Sequence, residues 1–224
     1  MPRPITDSSV ADVDRGRIYV LAGTNGAGKS SVAGVAIRRA GANYYNPDEA
    51  TRRIRTARPE ISEAEANGSA WLQGTHLLEQ AIDARLTFAF ETTLGGHTIA
   101  ELLERAIEEG LEVRIWFVGL DAPERHIARV QARVAHGGHD IPEDKIRERY
   151  EASRLNLLRL LPRLTELRLY DNSVEADPAT GHTPEPLLVL HVVEGVVAEM
   201  CPPLTVPHWA KPIVAAALRG QAPR

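Results

Sequence analysis

The sequence predicts an α/β fold: a mainly parallel sheet covered by helices on both faces, with a late antiparallel hairpin. Three observations predict it. Apolar, strand-length runs alternate with helix-period segments up to about residue 172, and that alternation builds parallel sheets from crossover units. The first run, Ile18-Tyr19-Val20-Leu21-Ala22, leads through Gly23-Thr24-Asn25-Gly26-Ala27-Gly28-Lys29-Ser30 into residues 31–39, which wind as a helix. This is the full G-x-x-x-x-G-K-[ST] pattern in its strand, loop and helix setting, so the class is P-loop NTPase-like. Lastly, Leu187 to Val193 and Val196 to Met200 flank Glu194-Gly195 with hairpin spacing.

Residues 1–15 are polar, hold two prolines and show no period, which predicts a flexible lead-in. Strand one follows at 17–22. In the loop after it, Gly23, Gly26 and Gly28 let the backbone turn its N–H groups inward, and the helix start adds a favourable partial charge. A polyphosphate fits such a concavity. The expected nucleotide contacts are Gly23, Asn25, Gly26, Ala27, Gly28, Lys29, Ser30 and Ser31, with Lys29 reaching the β and γ phosphates and the Ser30 hydroxyl holding Mg²⁺. Lys29 is one of three lysines, beside Lys145 and Lys211, in a chain otherwise supplied with arginine. A compact ammonium is needed there.

Ala42 to Asp48 is a second strand broken by Pro47, and Asp48 sits just past its end. An arginine-rich helix runs from Asp48 to Ala57. Ser62-Glu63-Ala64-Glu65 has capping-box spacing before Trp71, Leu78 and Ile82, which share a helical face, while Gly68 and Gly74 weaken the case for one unbroken helix. Leu86 to Phe90 reads as a buried strand ending in Glu91-Thr92-Thr93-Leu94-Gly95-Gly96. His97 to Glu109 is an amphipathic helix closed by Gly110, and Val113 to Leu120 is the next strand.

Asp121-Ala122-Pro123-Glu124 reads as a capping box opening the helix that carries Arg129 and Arg133. His136-Gly137-Gly138-His139 stops it, and Asp140-Ile141-Pro142-Glu143 opens another by the same logic, through Arg147, Tyr150, Leu157 and Leu161. Leu167 to Tyr170 is a further strand ending in Asp171-Asn172-Ser173. Residues 174–186 form a polar loop, and Val206 to Arg219 a short helix around Trp209. The expected organisation is a kinase-like core over 16–175 with a helical lid around 124–160, and a C-terminal loop, hairpin and helix over 176–224 packed on it.

Composition narrows the function. A chain of 224 residues buries one sizeable core, and a single cysteine excludes an internal disulfide or a cysteine-built zinc cage. A net charge of −4 gives no global attraction to nucleic acid. No apolar run approaches the roughly 20 residues of a membrane span and the start lacks a signal peptide's apolar region, so a cytoplasmic protein without membrane partners is expected.

Phosphoryl transfer needs cations around the moving group and something to orient the attacking oxygen. Asp48, at a strand end on the crevice side, is the candidate for taking the proton of a substrate hydroxyl; its other reading is the N-cap of the following helix. Glu91 would bind substrate hydroxyls or hold Mg²⁺ through water, or is an acid merely exposed past a strand. Thr92 and Thr93 offer hydroxyls to the substrate, or serve as turn formers. Arg133 and Arg147 bracket Gly137-Gly138, a hinge that would bring guanidinium groups over the phosphate; the rival reading pairs them with Glu124, Glu143, Glu148 and Glu151. His136 and His139 lack the company a zinc site needs, and His191 reads as a hydrogen-bonded core residue.

The ordered set G-T-N-G-A-G-K-S, Asn46-Pro47-Asp48, Phe90-Glu91-Thr92-Thr93, Arg133 to Tyr150 with its Gly-Gly-His, and Tyr170-Asp171-Asn172-Ser173 resembles the zeta-toxin family of P-loop kinases over about residues 17–173. The resemblance implies an ATP- and Mg²⁺-dependent kinase of small hydroxylated molecules, the family's toxins acting on UDP-N-acetylglucosamine, and an antitoxin protein as partner. It assigns Asp48 the catalytic-base place, Glu91 and Thr93 the substrate-contacting place, and Arg133 and Arg147 the lid arginines, with Arg129 and Arg149 as alternatives. Asn172 stands where such kinases hold adenine. The chain lacks the long C-terminal extension of the better-known toxins. The alternative from another class is a nucleotide-dependent switch or interaction module with no acceptor.

Overall fold

A computed structural model describes residues 15–29, 43–175 and 185–220. The helix expected over 31–39, and Ser30 and Ser31 with it, lies outside the described residues.

Seven strands form one sheet: β1 (Arg17–Ala22), β2 (Asn43–Tyr45), β3 (Phe88–Thr92), β4 (Glu112–Gly119), β5 (Glu166–Asp171), β6 (Leu187–Val193) and β7 (Val196–Met200). Their order is β2-β3-β1-β4-β5-β6-β7. The first five strands in that order pair in parallel, with Ile18 opposite both Phe88 and Val113, and β6 and β7 add antiparallel at the β5 edge. The chain therefore passes to one side of β1 and then to the other. Beyond the carboxyl end of β1 lies the switch point where such sheets leave a crevice.

Six helices are described: α1 (Pro47–Ala57), α2 (Glu63–Asp83), α3 (His97–Glu108), α4 (Pro123–Ala135), α5 (Glu143–Leu160) and α6 (Lys211–Gly220). Leu78 and Ile82 of α2, Leu103 of α3, Leu157 of α5 and Ile213 of α6 are buried with Ile18, Ile115 and Leu167 in one core. On the opposite side Leu21, Ala89 and Val118 pack with Ala27 of the loop. The tail joins the main core through Trp209, whose Nε1 donates to Asp171 Oδ1 at 2.8 Å. Among the described residues no helix is long and apolar enough to cross a membrane.

Local chemistry explains where helices begin. The Ser62 hydroxyl accepts from Glu65 N at 3.2 Å while Ser62 N donates to Glu65 Oε2 at 2.8 Å, the capping box in full. From there α2 runs unbroken through Gly68 and Gly74. At Gly74 a Cβ would stand 2.7 Å from the Tyr45 ring, so that glycine serves packing.

Four expectations need correction. Asn46, and not Asp48, caps α1, accepting from Glu49 N at 3.1 Å. Neither Asp121 nor Asp140 caps a helix: Asp121 pairs with Arg125 at 2.6 Å and Asp140 Oδ1 accepts from Ile141 N at 2.8 Å, leaving Ala122 and Pro142 at the cap positions. Strand β3 starts at Phe88, so Glu91 and Thr92 lie inside it, paired with Leu21 and Ala22. Trp71 does share the face of Leu78 and Ile82, but it stays 47% exposed because that end of α2 borders the cleft.

Candidate active site

Beyond the ends of β1, β2 and β3 opens a cleft of about 1040 Å³. Lys29, Asp48, Glu91, Thr92 and Thr93 all line it, with Asn25, Gly26 and Gly28 of the loop. The glycines of that loop are required. Gly23, Gly26 and Gly28 have φ of 143°, 81° and 82°, and a Cβ on them would meet Val118 O, His126 O and Asn172 Nδ2 at 2.2, 2.6 and 2.4 Å. Such a close, left-handed backbone path turns N–H groups toward one point and fits an anionic phosphate chain.

Lys29 is buried at the floor. Its ammonium donates to the Gly23 carbonyl at 2.7 Å and lies 3.5 Å from Glu91 Oε1. The other Glu91 oxygen accepts from Tyr44 OH at 2.9 Å and Asn46 Nδ2 at 3.0 Å. Asn46 thus does two jobs, capping α1 with its oxygen and aiming Glu91 with its nitrogen. Glu91 Oε1 is left facing the lysine, which is how a carboxylate can be both fixed and available.

Asp48, two residues beyond the cap, is mostly exposed and stands 4.0 Å from Arg133 Nη1. Thr92 and Thr93 hydroxyls accept from Leu94 N and Gly95 N at 3.0 and 3.3 Å. Both shape the turn, and as acceptors they keep their own protons to donate.

Arginines reach the loop from α4 and α5. Arg149 Nη1 donates to Asn25 Oδ1 at 2.9 Å, and Arg129 Nη2 donates to the Asn172 carbonyl at 2.9 Å while Asn172 Nδ2 donates to Ala27 O at 2.9 Å. Arg129, Arg133 and Arg149 line the cleft. Arg147 does not: it is exposed and donates to Glu124 Oε1 at 2.6 Å. Two residues along a helix turn the side chain to nearly the opposite side, so Arg149 faces the loop and Arg147 faces solvent.

His126 had no sequence signal beyond its apolar spacing to Val130. It is buried beneath the loop, where Nδ1 donates to the Asn25 carbonyl at 2.8 Å and the ring edge packs on Tyr150. Burial pushes its pKa down to about 4, helped by the positive charges of Lys29, Arg129 and Arg154. It supports the loop as a neutral ring. Nothing in the sequence marks Tyr44 and Asn46 as holding Glu91, or Trp71 as an exposed aromatic wall of the cleft. His191 is hydrogen-bonded, though to the buried carboxylate of Glu166 at 2.9 Å and not within the apolar core.

The cleft is lined by charged and hydroxyl-bearing side chains from the loop and the strand ends. It offers a phosphate cradle, an ammonium and carboxylates at the switch point of a parallel sheet, and that combination makes its class a nucleotide-dependent P-loop kinase. The Zeta toxin family model matches residues 5–175, and the chain belongs to that family. An uncharacterized protein of Haemophilus influenzae is 32% identical over 128 residues, 57% of this chain and 88% of that one. The crystal structure of an AvrRxo1-ORF1:-ORF2 complex superposes with a TM-score of 0.62 at 16% identity, covering 94% of this chain and 72% of that one. The same assembly with ATP gives 0.62 at 17% identity over 91% of this chain, which spans 64% of that one. At such identity the likeness shows the fold.

Proposed function

We propose that the chain is a Mg²⁺-dependent phosphotransferase that moves the γ-phosphoryl group of ATP to a hydroxyl of a small molecule, a nucleotide sugar such as UDP-N-acetylglucosamine being the acceptor carried over from its family. The observation that carries this reading is the Lys29–Glu91 pair at 3.5 Å inside the cleft that Asp48 also lines. An ATP-bound protein of the same fold supports ATP as donor. Family membership likewise supports an antitoxin protein as partner, and a cytoplasmic site of action where ATP is supplied.

In this reading the loop amides and Lys29 bind the β and γ phosphates, and Asn172 lies at the adenine end. Glu91 and the Thr92 and Thr93 hydroxyls hold the acceptor. Asp48 takes the proton from the acceptor hydroxyl as its oxygen bonds to the γ-phosphorus and the bond to the β-phosphate oxygen breaks, releasing ADP. Arg133 and Arg149 stabilise charge on the transferring group. Mg²⁺, when bound, neutralises phosphate charge, with the Ser30 hydroxyl as its ligand from this chain. Among the described residues no three His, Cys, Asp or Glu gather to hold a metal, so phosphate oxygens and water would supply most of the coordination.

The test is a metabolite mixture incubated with the protein and Mg-ATP and read by mass spectrometry. One or more acceptors should gain a phosphoryl group in proportion to ADP formed. A protein that binds nucleotide, modifies no acceptor and changes partner binding with nucleotide state would instead be a switch.

A further inference from the structure

One side chain ties the loop between α4 and α5 to α2. His139 Nδ1 lies 2.5 Å from Glu63 Oε1, and its Nε2 lies 3.3 Å from Asn67 Nδ2. A carboxylate can only accept and an amide nitrogen can only donate, so Nδ1 carries the proton and Nε2 is the acceptor. Asn67 is itself oriented, because its Oδ1 accepts from the Thr51 hydroxyl at 2.9 Å. The bonds therefore run one way, from Thr51 on α1 through Asn67 to His139 and on to Glu63.

The same residue holds an arginine by its backbone. Arg133 Nη2 donates to the His139 carbonyl at 2.9 Å, and Arg133 Nη1 stands 4.0 Å from Asp48 Oδ2. A tight turn joins them. Gly138 N donates to Arg133 O and Gly137 N to Val134 O, both at 2.9 Å, with Gly137 at φ 81°, a Schellman ending in which a Cβ on Gly138 would meet Arg133 Cγ at 2.5 Å. Arg133 Nε is buried with no partner among the described residues.

We propose that His139 is a positioning residue, which latches the α4–α5 loop onto α2 and so holds Arg133 opposite Asp48, over the place where the phosphoryl group moves. The proposal rests on the reading of Arg133 as a cation acting on that group. His139 itself need touch neither substrate.

A double-mutant cycle tests it, with Mg-ATP and water as acceptor so that no acceptor need be known. Arg133→Ala should lower kcat about tenfold or more with KM for ATP within about twofold. His139→Ala should lower kcat to a similar level, and the pair together should fall no further than Arg133→Ala alone, since both remove one interaction. Glu63→Ala, at a half-exposed position in the first turn of α2, should show the same kcat-only loss in milder form. Losses that multiply in the double variant, or a rise in KM with unchanged kcat, overturn the positioning role while leaving Arg133 in place. An unaffected Arg133→Ala enzyme overturns the reading of Arg133 itself, and the proposal with it.

Discussion

The Lys29 ammonium stands 3.5 Å from Glu91 Oε1, both side chains nearly buried, while Tyr44 and Asn46 donate to the other carboxylate oxygen. Lys29 must share its charge between this acid and any phosphate that enters. Glu91→Gln should therefore strengthen ATP binding, by about 1 kcal/mol or roughly fivefold, and cut phosphoryl transfer at least tenfold. Calorimetry with ATP and a transfer assay check the two halves. Weaker ATP binding in this variant would mean that Glu91 helps hold the nucleotide and does not compete with it.

Gly28 has φ 82° and a Cβ there would lie 2.4 Å from Asn172 Nδ2, the group that donates to Ala27 O. Gly28→Ala should lose that bond and cost about 1–2 kcal/mol for the left-handed backbone alone. The melting temperature should drop by about 2–8 °C and nucleotide binding should be lost, both readable by thermal unfolding with and without ATP.

Arg147 and Arg149 separate surface pairing from site chemistry. Arg147→Ala, which breaks the exposed bond to Glu124, should leave turnover unchanged and shift stability by less than about 1 kcal/mol. Arg149→Ala, which removes the donor to Asn25 Oδ1, should lower turnover about a hundredfold. Steady-state rates of the two purified variants decide it.

His126 makes the fold sensitive to acid. Its pKa in the folded chain is about 4, against roughly 6.5 when unfolded. Between those values the unfolded chain binds a proton and the folded chain does not, so stability is full above about pH 6.5 and falls as pH drops. The loss reaches about 3 kcal/mol by pH 4. Urea unfolding of the wild type and His126→Asn across that range should show a flatter pH slope in the variant.

Much of this was legible in the sequence because its signals are short-range. Gly23 to Ser30 names its own conformation, and alternating apolar runs place Asp48 and Glu91 near strand ends where a parallel sheet opens. What resisted reading depends on direction and distance. Asp48, Asp121 and Asp140 all carry capping chemistry, yet a cap is set by which side chain meets the first free N–H groups, and Asn46, Arg125 and the Ile141 amide decided those contests. Arg147 and Arg149 differ by a helix rotation that flanking glutamates on both sides conceal. Trp71 keeps the helical period of Leu78 and Ile82 but lies where α2 borders the cleft, so the same face is core at one end and wall at the other. His126 became a loop support through a contact to Asn25, 101 residues away in sequence.

In the proposed reaction the phosphate cradle and Asp48 serve one transfer to an alcohol. Asp48→Asn, measured by isothermal calorimetry with ATP and by mass spectrometry of the acceptor product, tests it most directly. ATP affinity should be unchanged and the transfer rate reduced at least a hundredfold, in keeping with loss of a general base. Transfer at the wild-type rate in that variant would contradict it.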